Sequence, residues 1–221
     1  MEIEDQYRDF VLSVLVSDLP ELFWRRLGER ANFVYGEAYS SVDSDAALLP
    51  EQKAQKLYQE RFFKMEHALV TVARETAVPA SAKLIGTNLC HYALVGCGRV
   101  EFTQSYVKVS GDMPAAAFHK ELAEMAEFKR APRLDLGDVP SDLIKPKMVS
   151  GIVLHSPAGR KFAADDQKLG AIGFFVAYDD FKGWAVKLTL PEIIAAYLPV
   201  EKREDRAAPT RKKDGKTGTE E

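Results

Sequence analysis

His155 closes an apolar run and is followed by Ser156-Pro157-Ala158-Gly159-Arg160-Lys161, which sets an imidazole beside a glycine and two cations. An imidazole can take up a proton near neutral pH, and a Gly-containing loop with Arg and Lys can hold a phosphate or carboxylate. Read as chemistry, this is a hydrolase or phosphate-ester site, with His155 as the base and Arg160 and Lys161 as anion holders. The loop is no P-loop: GxxxxGK[ST] is absent and no long helical pattern follows. A solvated basic hairpin loop accounts for the same residues.

A second group lies on one run of alternating residues. Arg99, Gln104, Tyr106 and Lys108, together with the loop cations Arg160, Lys161 and Lys182, are types that contact phosphates and stack on bases. They define a nucleic-acid-binding expectation for the strand 99–108. The net charge of −3 opposes it, because phosphate binding draws on an excess of positive charge.

Other chemistry is poorly spaced. Cys90, His91 and Cys97 form no CxxC, HxH or HExxH, and neighbours on a strand point to opposite faces, so no metal is expected and both thiols are read as free. The acidic pairs Asp165, Asp166 and Asp179, Asp180 flank one strand and could supply carboxylates to a divalent ion, but adjacent acids in loops are ordinarily solvated. The strand Trp184-Ala185-Val186-Lys187 lacks the acidic residue of a PD-(D/E)xK nuclease. No cofactor is implied.

The elements that must position these groups follow from periodicity. Runs at 149–155, 170–178 and 184–189 read as a three-stranded meander, with the loop 179–183 as an antiparallel hairpin connection. In the middle strand Ile172, Phe174, Val176 and Tyr178 share a bulky face, and the small opposite face is expected to admit a helix. A hairpin is expected over 89–109, with Arg99, Glu101, Thr103, Ser105 and Val107 facing water.

Residues 3–16 repeat apolar side chains at helical spacing, and Asp18-Leu19-Pro20-Glu21 has the pattern of a capped second helix. The run 50–76 is the longest helical pattern, with Ala54, Tyr58, Phe62, Met65, Leu69, Val72 and Ala73 as its stripe and an i,i+4 pair between Glu60 and Lys64. A further helix is expected over 113–130, then a Pro-containing connector to 147, and a capping box at Thr189 to Glu192 opens a last short helix.

The fold class that results is α+β: an antiparallel sheet of about five strands covered by amphipathic helices. Residues 1–78 form a helical N-terminal region, 79–200 the region with the sheet, and 201–221 a charged tail with no large apolar residue, expected to be disordered. A hydrophobic fraction of 46% in 221 residues is enough for a substantial core, and no run is long and apolar enough to span a membrane. The cytoplasm is therefore the expected compartment, with no membrane partner. Because no residue set has catalytic spacing, the leading expectation is a non-catalytic intracellular protein that binds a macromolecular partner, most simply another protein. The enzyme centred on His155 and the nucleic-acid binder are the alternatives.

Overall fold

The computed structural model describes residues 3–84, 91–115, 119, 120, 123, 128 and 148–198. Cys90, most of the helix expected over 113–130, the connector to 147 and the tail 201–221 lie outside the described residues.

Three helices come first: α1 (Ile3–Asp18), α2 (Glu21–Asp43) and α3 (Pro50–Glu75). Six strands follow: β1 (Ala80–Leu84), β2 (His91–Cys97), β3 (Val100–Tyr106), β4 (Val149–Pro157), β5 (Leu169–Ala177) and β6 (Trp184–Thr189). The short helix α4 (Leu190–Ala195) closes the described chain. Its capping box is formed as the sequence predicts, with the Thr189 amide donating to Glu192 Oε2 at 2.7 Å.

All six strands join one sheet in sequence order. The fold is α+β as expected, but the sheet is mixed rather than wholly antiparallel, because β3 and β4 pair in parallel with Tyr106 opposite His155. Two antiparallel meanders, β1 to β3 and β4 to β6, thus sit side by side. A parallel pair needs a crossover of a dozen or more residues, which the long segment between Tyr106 and Val149 supplies. The extra strand, β1, carries no buried residue, so the alternation that marks a half-buried strand is missing there.

The helices cover one face of the sheet. Val11, Phe23, Trp24, Leu27, Leu69 and Val72 from the helices share the principal core with Val95, Phe102, Val153, Phe174 and Val186 from the strands. The core therefore draws on residues from both sides of residue 78. On β5 the bulky face, Ile172, Phe174 and Val176, meets the helices, opposite to the sequence expectation. Gly151 makes this possible: the Phe174 ring lies over its bare Cα, so a large ring fits where a side chain would stand.

The opposite face is covered too. Thr103, Ser105 and Val107, expected in water, are buried, and Val107, Ile152, Leu154 and Phe175 pack with Phe181 and Trp184. Trp184 Nε1 donates to Gly111 O at 2.7 Å, which fastens the chain beyond β3 over this face. The alternation on 99–108 was legible, but polarity misassigned its outer set, because a central strand is buried on both sides.

Asp18 does not cap α2. The N-cap is Pro20, and Asp18 ends α1 with its carboxylate turned to the β2–β3 turn, where it accepts from the Arg99 amide at 2.7 Å and from Arg99 Nη2 at 3.0 Å. Charge-assisted bonds to a guanidinium outweigh a bond to a neutral helix amide. Among the described residues no helix is long and apolar enough to cross a membrane.

Candidate ligand pocket and the buried polar chain behind it

Parallel strands present their carboxyl ends to the same side of a sheet, and the loops leaving β3 and β4 diverge there, which is where open sheets take ligands. A cavity of about 820 Å³ opens at this point, walled by the N-terminal half of α3, the chain after Tyr106 and the β4–β5 loop. Its volume falls within the range of small-molecule sites.

The loop is held by its own polar groups. Gly159 donates its amide to Asp166 O at 2.7 Å, the Lys161 amide donates to Asp166 Oδ2 at 2.9 Å, and Gln167 Nε2 donates to Lys161 O at 2.6 Å. Asp166 is thereby consumed in shaping the loop, Asp165 pairs with Lys168 at 2.6 Å, and Asp180 accepts the Lys182 amide at 3.0 Å. Among the described residues no three His, Cys, Asp or Glu side chains gather as metal ligands.

Arg61 forms the floor of the pocket. It is 1% exposed, an unusual state for a guanidinium, and it is held from two sides. Nη1 donates to Gln167 Oε1 at 2.8 Å and Nη2 donates to the Gln167 carbonyl, while its carbon stands 4.2 Å from the centre of the Tyr35 ring. The Tyr106 hydroxyl also bonds to Arg61. Burial lowers the Arg61 pKa from its ordinary value, and Arg61 Nε has no partner among the described residues. Around the mouth stand Lys108 and Arg160, neither in an ion pair with a described residue, and the single carboxylate of Asp112. Leu57, Phe162 and the half-exposed ring of Tyr58 supply apolar wall, with Tyr58 edge-on to Tyr106 at 5.2 Å between ring centres.

His155 lies behind this wall. It is 1% exposed, with the Tyr106 ring between it and the cavity at 5.9 Å. Tyr35 OH stands 2.8 Å from Nδ1, and Nε2 stands 2.8 Å from Gln104 Oε1. Gln104 Nε2 then donates to Glu66 Oε1 at 2.5 Å, and the Ala93 amide donates to Glu66 Oε2. The amide orientation of Gln104 fixes the tautomer: its oxygen accepts from Nε2–H, so Nδ1 accepts from the Tyr35 hydroxyl. Burial, and then the Arg61 charge, lower the His155 pKa to about 3, so the ring is neutral. Burial raises Glu66 to about 7, against the pull of its bonds to Gln104 and Ala93.

The residues singled out from the sequence thus divide. Tyr106, Lys108 and Arg160 line one cavity. His155 and Gln104 are buried behind it, with both ring nitrogens of His155 occupied. Lys161 contributes backbone to the loop. Arg99 sits at the opposite end of β3, tied to Asp18 and Ser17, so the common surface expected for Arg99, Gln104, Tyr106 and Lys108 is not formed. Cys97 is half-buried with its thiol donating to Asp18 O at 2.9 Å, and His67 is exposed.

Arg61, Tyr35, Glu66 and Gln167 escaped the sequence reading. A signal existed for Arg61: it falls between Leu57 and Met65 at four-residue spacing on a buried stripe. That stripe is turned from the expected one at its start, where Tyr58 points outward, and Glu60 pairs with Lys56 while Lys64 pairs with Glu37.

No family model, no curated protein and no solved structure matches this chain. The fold and the cavity carry the functional argument alone.

Proposed function

We propose that the protein acts by binding rather than by catalysis, and that the cavity beside Arg61 is where it takes a negatively charged ligand. One observation carries the reading: a fully buried arginine faces the cavity, with Lys108 and Arg160 at the rim and one carboxylate, Asp112, among the described lining residues. No histidine is among the described residues that line it. The enzyme reading needed His155 as a base, and a neutral, doubly bonded imbedded imidazole with its pKa near 3 has neither access nor proton affinity for that task. The nucleic-acid reading needed a shared outer face that β3, an interior strand, does not offer.

Calorimetric titration of the whole chain with inorganic phosphate tests this reading. Saturable binding is expected, weakened at least about tenfold by the double variant Lys108→Ala, Arg160→Ala, which removes two of three cations and leaves the buried floor intact. No heat of binding, or equal affinity in the variant, counts against it.

Binding a protein partner is the second reading, and a separate observation favours it. Phe33 and Phe63 are 62% and 64% exposed in one groove between α2 and α3. The charges beside it are internally paired, Arg30 with Glu75 and Lys64 with Glu37, so the groove suits an apolar occupant, and a groove between two helices accommodates the apolar face of a third. The occupant proposed is an amphipathic helix of another protein. A photo-crosslinking residue at Phe63 should attach to such a helix, whereas attachment only to a second copy of this chain would overturn it.

A further inference from the structure

The lining of the cavity beside Arg61 combines two chemistries, and the occupant should match both. Three cations, Arg61, Lys108 and Arg160, line it against Asp112, an excess of two positive charges among the described lining residues. A carboxylate carries one negative charge, whereas a phosphate monoester carries nearly two at neutral pH and offers three acceptor oxygens. The donors suit it: arginine and lysine are the side chains that hold phosphate, and Lys108 and Arg160 stand exposed at the rim.

The rest of the lining includes apolar wall: Leu57 is buried, and Tyr58 is half exposed with its ring edge-on to Tyr106 at an interplanar angle of 83°. Phe162 lines the same cavity and is braced by Tyr39 at 5.2 Å between ring centres. Fixed aromatic rings beside cations are what a ligand with a planar aromatic body and an anionic group would meet, since ring stacking adds affinity with little ordering cost to the protein. Inorganic phosphate would leave this wall wet.

Resting on the anion-binding reading above, we infer that the ligand is a phosphate monoester of an aromatic compound, its phosphate on Lys108 and Arg160 over the buried charge of Arg61 and its ring against Tyr58 and Phe162. The bond to phosphorus is not broken: the ester is held.

The test is a set of titrations of the full chain with phenyl phosphate, inorganic phosphate, benzoate and adenosine monophosphate. Phenyl phosphate is expected to bind at least about tenfold more tightly than inorganic phosphate, the gain of one stacked ring. It should also exceed benzoate by a similar factor. Tyr58→Ala, a change at an exposed position, should erase the margin of phenyl phosphate over inorganic phosphate. Tighter binding of adenosine monophosphate than of phenyl phosphate assigns the site to nucleotides, and weaker binding assigns it to single-ring esters.

Equal affinity for phenyl and inorganic phosphate, or a margin that survives Tyr58→Ala, overturns the aromatic assignment while the anion-binding reading stands. Benzoate binding as tightly as phenyl phosphate overturns the dianion. Failure of every phosphate compound to bind overturns the anion-binding reading itself.

Discussion

Gln104 donates its side-chain amide to the carboxylate of Glu66 at 2.5 Å, within the interface between β3 and α3. That bond gives the buried polar chain a direction: Tyr35 donates to His155, His155 to Gln104, and Gln104 to Glu66. The chain ends on an acceptor that burial would rather keep protonated.

The stability of the protein should therefore carry a Glu66 component that falls as pH rises. Burial lifts this carboxyl from 4.5 to about 7, so the folded state binds the proton more tightly than the unfolded chain. The contribution is complete below about pH 4.5 and lost as pH rises through about 7, on the order of 3 kcal/mol in all. His155 and His119, both lowered to about 3 by burial, work in the opposite sense: their contribution is present above about pH 6.5 and lost as pH falls. Comparison with Glu66→Gln isolates the first component. Denaturant unfolding at pH 5 and pH 8 should show the wild type losing roughly 2–3 kcal/mol relative to the variant; a constant difference would show that Glu66 titrates as an ordinary carboxyl.

His155 is expected to matter to the fold. Replacing it with Phe keeps an apolar ring but leaves the Tyr35 hydroxyl and the Gln104 oxygen without their partner, and each unsatisfied buried group costs about 1–3 kcal/mol. A loss of about 3 kcal/mol in urea unfolding is expected. A loss below about 1 kcal/mol would mean that neither bond contributes.

How much of this could be read in the residues depends on what each signal measures. The strands β4, β5 and β6 were legible because their apolar runs are punctuated by Gly and Asp, and α4 because a capping box is a local signal. The parallel pairing of β3 with β4 was not, since register between strands more than forty residues apart leaves no local trace. Lys108, Tyr106 and Arg160, singled out by residue type, come to line one cavity. Arg61 and Gln167 were missed because a buried guanidinium is stabilised by partners from a different part of the chain. His155 was singled out as a base because its position next to two cations in sequence suggested access, and the strand carries it inward instead.

Gly151→Ala should be strongly destabilising and partly rescued by a second change. An added Cβ would overlap Phe174 Cζ, in the aromatic cluster where Phe174 meets Trp24 and Phe102. Overpacking of this kind costs about 1–3 kcal/mol. Phe174→Leu removes the opposing ring, so the two changes should couple, with the double variant more stable than the sum of the single losses predicts. Strict additivity in thermal unfolding would show that the ring moves aside freely.

The turn between β2 and β3 gives the last prediction. Gly98 adopts φ +58°, and an added Cβ would lie 2.5 Å from Asp18 Oδ2, the oxygen that accepts the Arg99 amide. Gly98→Ala therefore meets two costs: a left-handed backbone, about 1 kcal/mol for a residue with a side chain, and displacement of a carboxylate with three bonds to Arg99. The bond to the Arg99 side chain holds the Asp18 carboxyl well below the usual carboxylate range, so its contribution is present above about pH 3.8 and disappears only in stronger acid. At pH 7, Asp18→Ala should cost about 2 kcal/mol and Gly98→Ala about 2–3 kcal/mol. Once Asp18 is Ala, adding Gly98→Ala should cost only the backbone component of about 1 kcal/mol, because the carboxylate it would strike is gone. Denaturant unfolding of the four proteins measures this directly, and an undiminished Gly98→Ala penalty in the Asp18→Ala background would place the whole cost in the turn itself.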